Sequence, residues 1–451
     1  MKKLLTLSMA LALCGSAYAD SVKLFYISGK DIAGAPADMV IGTCGLAISP
    51  NGKYVAGPLE NGNGIFIVET ETGDFTWQLA DSEDGAELRK VDNNGTAIGF
   101  DGPGITYSFQ TGEPTILPLF DNVREIIGEG ISNDGKSMIG TLVVEEFKTA
   151  AGANYNGEGW QKLPMPSEEV LGQPVFIKAA SQGSASKYMS GDGKVILGNI
   201  GSFTFPILWE MNEENEYVPN FELANYVQVT DEDQFNENKP LLGLSAMYMC
   251  LSNNGRYAAF SGLVDSGDLR GNITVPIVYD LQEKELKVYD DFQDCDEYGG
   301  GLWPTAIADD GTFIGTCGQP SQMSSGSFIM KAGETVAKLY VDAFPDYDKV
   351  LGYDGRLGFD IPTGITPDGQ YLQGYIYHDF DTTDPTSPAY WVTYVIDTKG
   401  ESGVNEVSAS TSAPAAVEGI YSLDGQKLEK MAKGINIIRM SDGSAKKVMV
   451  K

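Results

Sequence analysis

The side chains able to do chemistry gather in a few stretches between residues 231 and 381. Phe235, Phe292, Tyr298, Trp303, Tyr347, Tyr353 and Phe380 stand near Asp231, Asp233, Asp290, Asp291, Asp294, Asp296, Glu297 and Asp354, and the single histidine, His378, precedes Asp379. Aromatic faces beside carboxylates make stacking platforms flanked by hydrogen-bond acceptors, which suits sugars, cationic peptides or calcium. The candidate binding set is therefore Phe235, Asp290, Asp291, Phe292, Asp294, Asp296, Tyr298, Trp303, Tyr347, Tyr353, His378 and Phe380. The competing reading is solvated loops whose aromatics cover the ends of a core.

Catalytic patterns fare worse. Gly130-Ile131-Ser132-Asn133-Asp134-Gly135-Lys136-Ser137 matches the phosphate-loop expression letter for letter. That motif works only between a strand and a helix, whose N–H groups and dipole hold phosphate. Here the following Met138-Ile139-Gly140-Thr141-Leu142-Val143-Val144 reads as a strand. One histidine cannot build a multi-histidine metal site, and no G-x-S-x-G elbow is present. Paired carboxylates could still hydrolyse glycosides without a histidine, but 62 acids make some such pair inevitable. Asp231-Glu232-Asp233 and Asp379-Phe380-Asp381 lack the glycine and final glutamate of a calcium loop, so calcium is left open and no cofactor is assigned. The spacing of Cys44, Cys250, Cys295 and Cys317 fits no zinc pattern and permits two disulfides or none.

The elements that must position these residues are hairpins. Ala47-Ile48-Ser49-Pro50-Asn51-Gly52-Lys53-Tyr54-Val55-Ala56-Gly57 leads β-prone residues into a glycine corner and out again. Reduced copies return with turn glycines at 95, 135, 193, 255, 311 and 369. Ser49, Ser132, Ser190, Ser252 and Thr366 stand three before the glycine, and Gly57, Gly99, Gly140, Gly198, Gly315 and Gly374 four or five after it. The fifth copy departs, with Ala259 there and Gly262 later. Steps of 43 and 40 residues, then 56 to 62, fit propeller blades with inserted loops. The pattern resembles the Ser-Pro-Asp-Gly-Lys, Trp-Asp-like propeller repeat over residues 40 to 397. It is also similar, less closely, to secreted repeats with an aromatic-Leu-Trp strand, as at Pro206-Ile207-Leu208-Trp209.

The expected fold is all-β, a seven-bladed propeller over residues 20–400. Helical signatures are nearly absent, and the third blade, with residues 154–163 as its outer pair, is the weakest. Blade seven lacks a fourth strand, and Val22-Lys23-Leu24-Phe25-Tyr26-Ile27 is a strand without a blade, so the N-terminus is expected to close the ring. The long connections, at residues 145–159, 263–272, 378–388, 218–240, 290–301 and 344–358, would share one face and carry the candidate binding set.

Lys2-Lys3, the apolar run from Leu4 to Leu13 and Ala17-Tyr18-Ala19 read as a signal peptide over residues 1–19. Export to the cell surface, the medium or the periplasm is expected. The net charge of −31, or −33 without Lys2 and Lys3, repels nucleic acid. No later stretch is apolar for long enough to cross a membrane as a helix, and a monomer is expected. After a linker at 401–417, residues 418–451 carry Tyr421-Ser422-Leu423-Asp424-Gly425, Lys433-Gly434-Ile435 and a basic end at Lys451. This resembles the end of a type IX secretion C-terminal sorting domain, implying the secretion machinery as a partner. Three functions stay open: an exported propeller that binds a glycan or protein without catalysis, a glycoside hydrolase or lyase working through paired carboxylates, and a structural or adhesive surface protein.

Overall fold

All seven turn glycines adopt the left-handed backbone that their position predicts, with φ between 67° and 91°. The computed structural model describes residues 22–31, 39–81, 83, 85–119, 123–145, 148–155, 157, 159–201, 205–230, 238–265, 271–289, 301–317, 326–344, 347, 360–379 and 389–399. In the C-terminal unit it describes 417–422, 427–428, 430, 434–440 and 445–450. At five of the corners the small polar residue three before the glycine ties the turn shut. Ser49 Oγ accepts the Tyr54 N–H at 2.9 Å and donates to Asn51 Oδ1 at 2.7 Å. Ser132, Ser190, Ser252 and Thr366 repeat both bonds. The phosphate-loop lookalike is one of these corners, between strands Glu125–Ile131 and Met138–Glu145.

Each corner joins the first two strands of a four-stranded antiparallel sheet, and seven such sheets form the propeller. Their first strands are Ala47–Ile48, Ala86–Val91, Glu125–Ile131, Ser184–Met189, Gly243–Leu251, Leu302–Ile307 and Asp360–Ile365. Alternating residues on these pleated sheets pack against the neighbouring blade on either side. Val68, Phe66 and Val55 of blade one, for example, meet Phe25, Ile27 and Val395 of blade seven and its extension. Burying a side chain of this size stabilises by roughly 1.5–3 kcal/mol.

The ring closes as the sequence implies. Val22–Phe25 is the fourth strand of blade seven, in register with Ala389–Asp397 through Val22↔Ile396, Lys23↔Val395, Leu24↔Tyr394 and Phe25↔Thr393. Its two faces serve different interfaces. Val22 and Leu24 pack with Ile314 and Ile329 of blade six, whereas Phe25 packs with blade one. The chain then leaves blade seven, and Ile27–Ser28 pairs with Val40–Ile41.

A belt of hydrogen bonds runs from corner to corner around one end of the ring. Asn93 donates to the carbonyl of Asn133, Asn133 to Gly191, Gly191 to Asn253, and Asp309 to Pro367, all through backbone N–H groups at 2.7–3.3 Å. Asn51 N–H reaches Asn93 Oδ1 at 2.9 Å, and Asn254 N–H reaches Asp309 Oδ1 at 2.7 Å. The next donor would be Pro367, which has no N–H. The step from blade seven to blade one is held instead by Gly45 N–H on Thr393 Oγ1 (2.8 Å), and by Gln373 Nε2 (2.7 Å) and Thr363 Oγ1 (2.8 Å) on the Gly45 carbonyl.

Two details correct the sequence reading. Residues 145–159 are not one long connection: Lys148–Tyr155 is the third strand of blade three and pairs with Met138–Glu145 and Trp160–Lys162, so the blade is complete. The extra length lies after it, in helices Glu168–Leu171 and Pro174–Ala180, begun by the Ser167 cap and by a proline at the first turn. Each is too short to show a helical period in the sequence. Residues 263–265 and 378–379 belong to strands Tyr257–Asp265 and Tyr371–Asp379, so those two connections are shorter than expected. Cys44, Cys250 and Cys317 are thiols outside any disulfide, and Cys295 lies outside the described residues. No described helix is long and apolar enough to cross a membrane.

Residues 401–451 form a separate compact unit. In it Val417–Ser422, Lys427–Leu428, Gly434–Met440 and Ala445–Val450 make one antiparallel sheet with Lys427–Leu428 and Ala445–Val450 at its edges.

Candidate functional site

The first strands of blades two, three, four, six and seven each carry a β-bulge at the same place, six residues before the turn glycine. The residues left over by the bulges are Arg89, Glu129, Lys187, Thr305 and Thr363. A bulge re-aims a side chain that ordinary alternation would send elsewhere, and all five line one central cavity of about 530 Å³. Every blade contributes to its wall, from Leu46 and Pro50 of blade one to Ile365 and Pro367 of blade seven.

The glycine after each corner makes the bulge possible. A Cβ on Gly99 would sit 1.9 Å from the Glu87 carbonyl oxygen, and one on Gly198 2.0 Å from that of Ala185. Blade five explains its own departure. Its irregularity falls between Ser245 and Met249, further from the corner, and leaves over the three residues Ala246, Met247 and Tyr248. The residue facing the irregularity is Ser261, paired with Ser245, and Gly262 stands one residue beyond, where a Cβ would meet the Ile277 side chain.

One side of the channel is charged. Arg89 Nε lies 2.9 Å from Glu87 Oε1, and Arg89 Nη1 lies 2.6 Å from Glu129 Oε2. Lys187 Nζ completes the chain at 2.6 Å from Glu129 Oε1. The guanidinium also lies over the Phe100 ring, 5.2 Å from its centroid. Burial pulls the Arg89 pKa down, but Glu129 and Glu87 outweigh it and hold the pKa above the usual arginine value. Lys90, next in the strand, also lines the cavity, and burial lowers its pKa. Tyr188, Met189, Met247, Tyr248, Met249 and Cys250 line the cavity as well, with Tyr188 within electrostatic range of Glu129 and Arg89. Tyr248 packs on Trp303 with ring centroids 4.7 Å apart, and Met247 is 64% exposed. Burial raises the pKa values of Tyr188 and Cys250, which keeps both neutral. The lining combines fixed charges with soft apolar and aromatic surface, a combination suited to orienting a small ligand.

The residues singled out from sequence lie elsewhere. Phe235, Asp290, Asp291, Phe292, Asp294, Asp296, Tyr298, Tyr353 and Phe380 fall outside the described residues. Trp303 is in the first strand of blade six, behind Tyr248. Tyr347 is buried and donates to Asp360 Oδ2. His378 is not in a loop: it is buried in strand Tyr371–Asp379, opposite Tyr390. Sequence reasoning passed over Arg89, Glu129 and Lys187. Their signal was available, as charged residues at one repeat position in three successive blades of a chain with only 31 Lys and Arg.

No family model and no curated protein matches the chain. Among solved structures it is similar to TolB from Acinetobacter baumannii, at 12% identity over 63% of this chain and 62% of that one, with a TM-score of 0.34. The chain thus spans less than two thirds of TolB. The β-propeller domain of the Trilobed protease from Pyrococcus furiosus gives 11% identity, 87% and 100% coverage and a TM-score of 0.41. An ancestral GH74 enzyme gives 10%, 90% and 53%, and 0.44. The seven sheets themselves establish the fold, an all-β seven-bladed propeller closed by its N-terminal strand.

Proposed function

We propose that this protein is an exported propeller that binds a ligand without transforming it, and that its binding site is the central channel. The observation that carries this reading is the repeated bulge, which uses a backbone irregularity in blade after blade to turn side chains into one shared cavity. The ligand is a sugar or a short peptide, sized to about 530 Å³. Glycoside hydrolysis needs one carboxyl with a proton to give and a second one free to attack or activate water. Glu87 and Glu129 are the acids of the channel, and both are tied to Arg89 in ion pairs, Glu129 to Lys187 as well. Their engagement favours binding over hydrolysis. The leader-like residues 1–19 and the sorting-like residues 418–451 motivate export.

A panel of neutral and acidic oligosaccharides and short peptides, screened for retention and turnover together, tests the reading. Retention that Met247→Trp weakens is expected, since the larger ring would fill the channel. Turnover of any retained ligand, or retention indifferent to that substitution, would overturn it. Secreted protein still beginning at Met1 would contradict export through a cleaved leader.

A further inference from the structure

Lys90 has no counter-ion among the described residues. Arg89 and Lys187 are spoken for by Glu87 and Glu129, but Lys90 makes no hydrogen bond or ion pair among the described residues. Three cations therefore face two carboxylates in the channel lining, an excess of one positive charge inside a chain whose net charge is −31. Lys90 is half-buried and lines the cavity. Removing an ammonium from bulk water without a partner is unfavourable, and an anion arriving from the cavity would supply the missing charge. The same lining can accept the remainder of a ligand through Tyr188, Tyr248 and Met247.

We infer that the ligand of the channel carries a carboxylate, which the Lys90 ammonium binds while the ring or apolar part of the ligand lies along Tyr188, Tyr248 and Met247. This rests on the channel being the binding site. A carboxylate of this kind belongs to an acidic sugar or to a peptide C-terminus. Both present the same group to Lys90.

Binding should also take up protons. Burial lowers the Lys90 pKa, and a bound carboxylate raises it again. Affinity therefore falls as pH rises through the lowered pKa. The other titratable groups of the lining are Glu87, Arg89, Glu129, Lys187, Tyr188, Tyr248 and Cys250. Arg89, Glu87, Glu129 and Lys187 are locked in ion pairs, and burial raises the pKa values of Tyr188, Tyr248 and Cys250. Lys90 is the lining cation without an ion pair among the described residues, and the one a bound carboxylate would newly pair.

The test is isothermal titration of the full chain with digalacturonate and its dimethyl ester, and with trialanine and its C-terminal amide. At least one acid should bind about tenfold or more tightly than its neutral counterpart. Lys90→Met should weaken that acid by about tenfold or more, and Lys90→Arg should restore much of it. Titration in two buffers of different ionisation enthalpy should register proton uptake with the wild-type protein. Which acid binds identifies the source of the carboxylate. Equal binding of acid and neutral forms, an unaffected Lys90→Met variant, absence of proton uptake, or no binding of any of the four overturns the inference. If neutral ligands bind and Met247→Trp blocks them, the channel reading survives that failure. If Met247→Trp leaves binding intact, the channel reading falls as well.

Discussion

The Tyr394 hydroxyl donates a 2.7 Å hydrogen bond to Asp360 Oδ1 in the buried layer between blades six and seven. Tyr347 donates to the other oxygen. Even so, burial dominates and pushes the Asp360 carboxyl up to about 6, from an ordinary 3.8.

That shift fixes the sign of a pH effect. Between the two values the folded protein holds a proton that the unfolded chain has released, so stability falls as pH rises from about 4 to about 6 and then levels off. A change of this size is worth roughly 2–3 kcal/mol. Chemical denaturation at pH 4.5 and 7 should show that loss, and Asp360→Asn should flatten it. An unchanged pH slope in the variant would contradict this account.

Closure by the N-terminal strand should carry several kcal/mol. Deleting residues 21–28 removes buried Val22, Phe25 and Ile27 and uncovers the ladder edge of Ala389–Asp397. Phe25→Ala alone should cost about 3–5 kcal/mol. A lower melting temperature and aggregation are the expected results, and a deletion variant that melts like the intact protein would refute the clasp.

Gly99→Ala should destabilise by about 2–4 kcal/mol although it adds only a methyl group. The new carbon would meet the Glu87 carbonyl oxygen at 1.9 Å, so the bulge must flatten or the strands part. Either outcome swings Arg89 away from Glu129. Thermal denaturation gives the cost, and the loss of charge pairing is read from the Glu129→Gln variant, which should then add little further destabilisation.

Two substitutions in the channel should move stability in opposite directions. Glu129→Ala strands two partly buried cations, Arg89 and Lys187, and should cost about 2–4 kcal/mol. Lys90→Met removes an ammonium that has no partner to lose and should raise the melting temperature. If both variants melted lower by the same amount, the distinction between paired and unpaired cations would fail.

The architecture was legible because a positive φ at a tight corner demands glycine, and demands it at the same point in every blade. Even the closing strand could be found, since one blade lacked a member and one strand lacked a blade. The channel was not legible from alternation alone, because a bulge slips the register by one and sends Arg89, Glu129 and Lys187 where a regular strand would not. The departure at Ala259 was visible in the sequence, but its meaning depended on knowing that the glycine of the other blades faces a bulge. Loop length pointed instead to Asp290 through Tyr298. His378 was misread as a loop residue because strand Tyr371–Asp379 runs longer than its apolar pattern.

The pairing of Val22 with Ile396 also decides how the ring would yield to force. The two strands run antiparallel, so the chain enters at Val22 and departs beyond Ile396 from the same end of the pair. Tension between those two points would load the cross-strand hydrogen bonds one after another, as a zipper is opened, instead of sharing the load along the strand. The proline gap in the corner belt lies in the adjoining step, between blades seven and one. A ring that resists heat through buried Val22 and Phe25 would thus part at low force when drawn by its ends, and it would part first at the seam where it was closed.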